Sequence, residues 1–408
     1  MIKCGLLGER LAHSFSPQIH AELGDYEYRL FEKKPEELEE FLRYGDFDGI
    51  NVTIPYKKAV ITSCSELSDA ARAIGSVNTL LRRADGSLYG DNTDYFGFCY
   101  LFKKIADGID GKALVLGSGG TSLTVRAVLR DMGIEDVVNV SRVGAVNYGN
   151  IGEHRSAAMI INTTPVGMFP GNGFSPIADL EVFADCRAVI DLIYNPARTE
   201  LLMQAEELGI PCIGGLAMLV AQAKRAAEVF TGKAIADNAI ESIARKISAM
   251  TQNIILIGMP GCGKSSVGAE LAGIMGRRFA DSDDLIEETA GKPIPAIFEQ
   301  DGEDAFRKLE SQALQELCKQ SGLVIATGGG AVTRAGNRRV LKQNGTIIFL
   351  DRDIGELPVS GRPLSRQAGI EVLAAERLPL YAAWSDYTVP VTPQSSVSDT
   401  AMDIRGRL

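Results

Sequence analysis

The stretch Gly258-Met259-Pro260-Gly261-Cys262-Gly263-Lys264-Ser265 has the residue types that hold a phosphate chain. Glycines let backbone N–H groups turn inward onto phosphate oxygens, and a helix N-terminus behind them attracts the same anion. Lys264 can reach the outer phosphates and Ser265 can ligate Mg²⁺. Gly261, Cys262, Gly263, Lys264, Ser265 and Ser266 are therefore candidate nucleotide-binding residues. Downstream, Asp281 and Asp283 stand two apart where a strand-like run ends. One would serve the Mg²⁺ shell and the other a substrate hydroxyl, or the two would simply cap the next helix. Arg307 and Glu310 share a helix face, as a surface pair or as part of a site. Thr327-Gly328-Gly329-Gly330 implies a tight turn or a close backbone approach. Arg362 and Arg377 add two more guanidiniums.

The first 250 residues carry a different set. Gly117-Ser118-Gly119-Gly120-Thr121-Ser122 has the layout of a dinucleotide fingerprint, with Ser122 in the third glycine's place. The next strand ends Val140-Ser141-Arg142, where an NAD binder usually carries a carboxylate. A hydroxyl and a guanidinium suit a 2′-phosphate and favour NADP; the other reading of Arg142 is a solvated surface charge. Ser14 and Ser16 flank a turn before Pro17 and would either cap a helix or bind a carboxylate. Asn51-Val52-Thr53-Ile54-Pro55-Tyr56-Lys57 leaves a strand and ends in a lysine. Gly75–Thr79 and Gly90–Asp94 both read as Asn-Thr turns.

These groups need positioning elements. Apolar runs predict strands at Cys4–Leu7, Tyr28–Phe31, Gly49–Thr53, Ala113–Leu116, Val137–Val140, Met159–Asn162, Val189–Ile193, Ile254–Ile257 and Leu323–Ala326. Helical patterns fill Pro17–Leu23, Pro35–Tyr44, Asp94–Ile105, Leu216–Phe230 and Ala234–Met250. Alternation of this kind implies α/β architecture with mainly parallel sheets. The expected layout is an α/β substrate domain with a Rossmann-like NADP domain over 1–250, then a P-loop kinase domain over 251–408, similar to nucleoside monophosphate kinases. Within the first part, 1–105 and about 232–250 would form the substrate domain and 106–231 the cofactor domain. The boundary near 250 is a short hinge after a helix.

Composition narrows the class. With 45% hydrophobic and 23% charged residues the chain can bury real cores. No apolar run approaches the ~18 residues needed to cross a bilayer, so no membrane partner is expected. Seven scattered cysteines without a CxxC pair suggest neither disulfides nor zinc, and a cytoplasmic protein is the default. The net charge of −10 argues against nucleic acid. Anionic small molecules remain, provided each site concentrates its own donors. The oligomeric state is left open.

The ordered set His13-Ser14-Phe15-Ser16-Pro17, Asn51–Lys57, Gly75–Thr79, Gly90–Asp94, Gly117–Ser122, Asn162–Met168 and Gly215–Ala223 resembles the shikimate dehydrogenase family over roughly residues 2 to 248. The resemblance implies NADPH-dependent reduction of 3-dehydroshikimate to shikimate. It implies that Ser14, Ser16, Thr53, Asn78, Asp94 and Gln222 hold substrate, that Lys57 and Asp94 are the catalytic pair, and that Leu192, Tyr194 and Gly215 line the nicotinamide or substrate edge. The residue types fit, since an ammonium can stabilise the oxyanion that hydride transfer to a ketone creates and can supply its proton.

From Asn253 to Thr392 the chain resembles shikimate kinase. By that resemblance Asp283 takes the reacting hydroxyl, Arg307 and Arg377 clamp the substrate carboxylate, Gly329 contacts substrate and Arg362 belongs to a lid over the ATP phosphates. Arg352 is the nearby candidate for an adenine-stacking arginine. Ser265 and Asp281 would hold Mg²⁺. The two resemblances name consecutive steps on one metabolite, so the expectation is a bifunctional enzyme of the shikimate pathway. The rival is that one half catalyses while the other only binds or regulates.

Overall fold

The structure is a computed structural model that describes residues 1–11, 14–357 and 369–408. His13 and Arg362 lie outside the described residues. By compactness the chain divides into two units: Met1–Met168, Phe174–Tyr194 and Leu201–Ile247 form the first; Phe169–Gly173, Asn195–Glu200 and Ser248–Leu408 form the second. The single cut expected near 250 therefore misses two short upstream segments that belong with the second unit.

The first sheet runs β2 (Glu27–Glu32), β1 (Lys3–Gly8), β3 (Gly49–Val52), β5 (Thr79–Arg82), β6 (Leu88–Asp91), β4 (Glu66–Leu67). Parallel pairing holds for β2-β1-β3. β4 is parallel to β6, and β5 alone runs antiparallel, to both β3 and β6, so the sheet is mainly parallel with one reversed strand. Gly86 turns the hairpin at φ +83, a conformation glycine adopts at little cost. The two Asn-Thr segments read as turns prove to be strand ends: Thr79 opens β5 and Asp91 closes β6. Leu7, Ile50, Val52, Val77 and Leu80 make the core on one face. Ile19 packs on the other with Val220, Ala223, Ile240 and Ile243 of two long helices, Leu216–Thr231 and Asn238–Thr251. The second of these was expected from Ala234, but Gly232 at φ +67 ends the previous helix. Glu228 Oε1 then accepts the Ile235 N–H and Lys224 grips Asp237, holding the intervening turn.

The second sheet, β8 (Val137–Val140), β7 (Lys112–Leu116), β9 (Ala157–Asn162), β10 (Ala188–Asp191), β11 (Cys212–Gly214), is wholly parallel. Its central strands are apolar on both faces, as a sheet covered by helices on both sides requires, and two separate clusters fill those faces. Chain order reverses between β7 and β9, which opens a crevice beyond their carboxyl ends.

The second unit carries β13 (Arg278–Asp281), β14 (Leu323–Ala326), β12 (Asn253–Ile257), β15 (Gly345–Arg352) and β16 (Tyr387–Val391), again all parallel. Its core joins β12 and β14 to Leu271, Leu314, Leu341 and Tyr381. Among the described residues no helix is long and apolar enough to cross a membrane. No group of three or more His, Cys, Asp or Glu among them could hold a metal.

Candidate active sites

In the first unit the chain brings Lys57 and Asp94 together from 37 positions apart, with Nζ 2.6 Å from Asp94 Oδ2. Lys57 follows β3, and its carbonyl accepts the Val77 N–H at 2.8 Å. Asp94 stands in the first turn of the helix Thr93–Ile105, whose start is fixed by the Asn92 side chain capping Tyr95. Around this pair are neutral polar groups. Asn78 Oδ1 accepts the Thr93 N–H at 2.7 Å, and Gln222 Oε1 lies 3.5 Å from Thr93 Oγ1. Ser14 Oγ donates to Ser16 Oγ at 3.1 Å. Ser14 Oγ also accepts the Ser16 N–H at 3.2 Å, the first N–H of the helix Ser16–Ala21, while Phe15 at the N-cap position makes no side-chain bond. Thr53 follows β3, its N–H bound to Leu7 O at 2.9 Å. Tyr194 rests its ring 5.7 Å from Phe15, and burial raises its phenol above the usual range.

The dinucleotide loop follows β7 at the crevice. Gly117 has φ +112, and a β-carbon there would meet Thr163 Oγ1 at 2.6 Å. Gly119 and Gly120 face open space: a β-carbon on either would meet nothing within 4 Å. The helix Gly120–Asp131 starts with no side-chain cap, so its first N–H groups are free for an anion. Ser118 is exposed and Thr121 half-buried in the same turn. A bound pyrophosphate fits this cradle. Ser141 and the exposed Arg142 follow β8, the Ser141 N–H being held by Val146 O at 3.1 Å. Leu192 and Gly215 pack at the ends of β10 and β11, where a β-carbon on Gly215 would collide with the Leu192 carbonyl. Buried Asp191 accepts from Asn162 Nδ2 at 3.0 Å and from the Ile193 N–H at 3.1 Å, tying these loops together.

In the second unit, Gly258, Gly261 and Gly263 have φ of +147, +86 and +106. The loop therefore needs glycine at three places. Lys264 Nζ turns back onto Gly258 O at 2.9 Å and Met259 O at 3.0 Å. The helix Lys264–Met275 also begins without a side-chain cap. Cys262 is fully buried within the loop, and Ser266 follows on the exposed side. Ser265 Oγ donates to Asp281 Oδ2 at 2.6 Å, while Asp281 Oδ1 caps the Asp283 N–H at 3.0 Å. Two hard oxygen donors so close fit Mg²⁺, which keeps most of its own waters. The cap reading of Asp281 holds. Asp283 does not sit on a fraying strand, as its spacing from Asp281 suggested, but in the first turn of the helix Ser282–Ala290.

Asp281, Asp283, Arg307, Gly329 and Arg377 all line one cavity of about 570 Å³ beside the loop. Burial, then the charge of Asp281, pushes the Asp283 carboxyl up to about 6. The Arg307–Glu310 pair is not on the surface: Nη1 donates to Glu310 Oε2 at 2.8 Å, and Glu310 is fully buried. Burial raises Glu310 above the usual carboxylate range, against the opposing pull of Arg307. Gly328 is needed because a β-carbon would meet Glu310 Oε1 at 2.6 Å and Asp283 Oδ1 at 2.9 Å. Gly329 O accepts from Arg377 Nη1 at 3.3 Å and from the Tyr381 hydroxyl. Arg352 faces Glu356 at 3.7 Å.

The motifs missed Glu310 as a buried site residue, Tyr381, and the Asn162–Asp191 pair. The i, i+3 spacing pointed to Glu310, but its depth depends on packing against the Gly328 loop.

A dinucleotide crevice beside a lysine–carboxylate pair, joined in one chain to a P-loop phosphotransferase pocket, defines the class. The family profile described as the shikimate dehydrogenase substrate binding domain matches residues 6–80, and that of shikimate kinase matches residues 260–404. Shikimate dehydrogenase (NADP(+)) of Clostridium perfringens strain SM101 is 34% identical over 265 residues, covering 60% of this chain and 97% of that protein. A chorismate mutase/shikimate 5-dehydrogenase fusion from Clostridium acetobutylicum superposes with a TM-score of 0.57 at 34% identity, covering 60% of this chain and 97% of that one. Shikimate 5-dehydrogenase of Thermus thermophilus, solved with NADP(H) and shikimate, gives 0.54 at 32% identity, with coverage of 60% and 99%. The chain belongs to the shikimate dehydrogenase family and continues into a shikimate kinase domain, so it is a dehydrogenase–kinase fusion serving the shikimate pathway.

Proposed function

We propose that the first unit reduces 3-dehydroshikimate to shikimate with NADPH and the second phosphorylates shikimate with ATP and Mg²⁺. The Lys57–Asp94 contact at 2.6 Å is the observation that carries the first half. NADPH, when bound along Gly117–Thr121 with Ser141 and Arg142 at its 2′-phosphate and Leu192 and Gly215 at its nicotinamide, supplies the hydride. Lys57 stabilises the developing oxyanion and gives it a proton, while Asp94 holds the ammonium in place. Ser14, Ser16 and Tyr194 hold the carboxylate, and Thr53, Asn78, Asp94 and Gln222 hold the ring oxygens.

In the second unit Asp283 accepts the proton of the reacting hydroxyl, and Arg307 and Arg377 hold the carboxylate. Lys264 leaves the Gly258 and Met259 carbonyls for phosphate oxygens, and Ser265 with Asp281 holds Mg²⁺, so that charge neutralisation does most of the work. Residues 1–105 and about 232–250 would act as the substrate part of the dehydrogenase, 106–231 as its cofactor part and 251–408 as the kinase. Incubating the purified chain with 3-dehydroshikimate, NADPH and ATP should give NADPH oxidation followed by ADP formation. Absence of both would sink the proposal; ADP formation absent from shikimate alone would reduce the kinase half to a binding module.

Glu303 sharpens the kinase reading. Arg307 Nε and Nη2 both donate to Glu303 Oε1, at 3.3 and 3.2 Å, along the edge that a substrate carboxylate would use. Glu303 is about half exposed at 53%, so the pair is worth about 0.2–1 kcal/mol. Glu303→Gln should lower the KM for shikimate in ADP formation about two- to fivefold, with kcat unchanged. A raised KM would mean that Glu303 aligns Arg307 instead of competing for it.

A further inference from the structure

The motifs leave Tyr28 out, yet its hydroxyl is bonded to Asn51, at the head of the segment that ends in Lys57. Tyr28 lies on β2, and its ring is stacked on His20 at 3.9 Å between centroids and 12° between planes. His20 is itself fixed, with Nδ1 2.6 Å from the Tyr26 hydroxyl. Burial lowers its pKa to about 3, which leaves a neutral, immobile ring for Tyr28 to rest on. Tyr28 thus presents its hydroxyl in one place. There it donates to Asn51 Oδ1 at 2.8 Å.

The donor directions continue from that point without a conflict. Asn51 Nδ2 donates to Thr79 Oγ1 at 3.1 Å, the two residues facing each other across the β3–β5 ladder. Thr79 Oγ1 donates to Asn78 Oδ1 at 3.1 Å. The Thr93 N–H, whose polarity is fixed, donates to the same oxygen, so the Asn78 amide is oriented with its NH₂ turned away. Ser14 donates to Ser16 at 3.1 Å, a separate short bond near the start of the first helix. Asn51, Asn78, Thr79 and Thr93 are all buried. In such surroundings each unmade bond is costly and a chain of bonds acts as a unit.

We infer that Tyr28, acting through Asn51 and Thr79, is a positioning residue for the Asn78 amide and Thr93 beside Asp94. The inference rests on the dehydrogenase reading. Tyr28 touches no reacting atom; it sets which way the Asn51 and Asn78 amides and the Thr79 hydroxyl point, so substrate meets donors already aligned.

The test uses the full chain. Tyr28→Phe removes one oxygen and keeps the stack on His20. It should raise the KM for 3-dehydroshikimate about five- to tenfold, one buried hydrogen bond's effect, with kcat within about twofold and the KM for NADPH unmoved. Asn51→Ala should raise the same KM, and the double variant should be no worse than the worse single, because both break one chain. An unchanged KM in either folded variant, additive effects, or a loss confined to kcat would overturn the role. If Tyr28→Phe fails to fold, the KM of Asn51→Ala decides alone. Wild-type protein that oxidises no NADPH with 3-dehydroshikimate would overturn the dehydrogenase reading itself, and this role with it.

Discussion

Lys57→Ala should lower kcat for NADPH oxidation by about 10²–10⁴ and leave ADP formation from shikimate intact. A positioned general acid contributes about that factor, and among the described residues the Lys57 ammonium is the one cation paired with Asp94 in the first pocket. No neighbouring hydroxyl can replace it, since Ser, Thr, Asn and Gln side chains carry no positive charge. The substitution leaves the Asp94 side chain, only 13% exposed, without its partner, so a circular-dichroism check of folding accompanies the rates. Steady-state rates at saturating 3-dehydroshikimate check it. A kcat within tenfold of wild type would remove Lys57 from the chemistry.

The mirror result is expected from Lys264→Ala, which should reduce ADP formation about 10²–10³-fold, the cost of losing one preorganised donor to developing charge, while NADPH oxidation continues. Lys264 is buried, with Nζ on the Gly258 and Met259 carbonyls. Those two acceptors keep the ammonium over the loop until phosphate oxygens take their place. In the alanine variant they lose their donor, a modest local cost of about 1–3 kcal/mol. Assaying both activities on each variant makes the pair informative. Loss of both activities in either variant would show that the two units do not work independently.

The groups proposed to do chemistry in each half stood out because they cluster in short motifs. A glycine loop between strand and helix states its purpose within eight residues, and Lys57 and Asp94 each sit in a recognisable segment. What sequence could not convey was depth and direction. Asp281 and Asp283 looked like two carboxylates on one strand end; a strand-to-helix turn puts Asp281 at the N-cap bonded to Ser265 and Asp283 in the helix's first turn, both on one cavity. Glu310 had helical spacing to Arg307, but its full burial arises from the Gly328 turn, which is remote in sequence. The β5–β6 hairpin was hidden because Asn and Thr at its ends serve tertiary hydrogen bonds, and those residues also favour turns. Tyr28 and His20 gave no signal at all: an aromatic in a strand and a histidine in a helix are ordinary core residues until their polar ends are traced.

The uncharged hydroxyls proposed to hold the substrate carboxylate in the first unit have a bearing on how fast product leaves. The ring carboxylate is the same before and after hydride transfer, so any grip on it strengthens the hold on starting compound, transition state and product alike. Stronger grip there would lengthen the stay of shikimate without hastening its formation. Serine and tyrosine hydroxyls, unlike the paired guanidiniums of Arg307 and Arg377, bind an anion with moderate strength and no net charge. An enzyme whose product is the next site's substrate gains from letting it go.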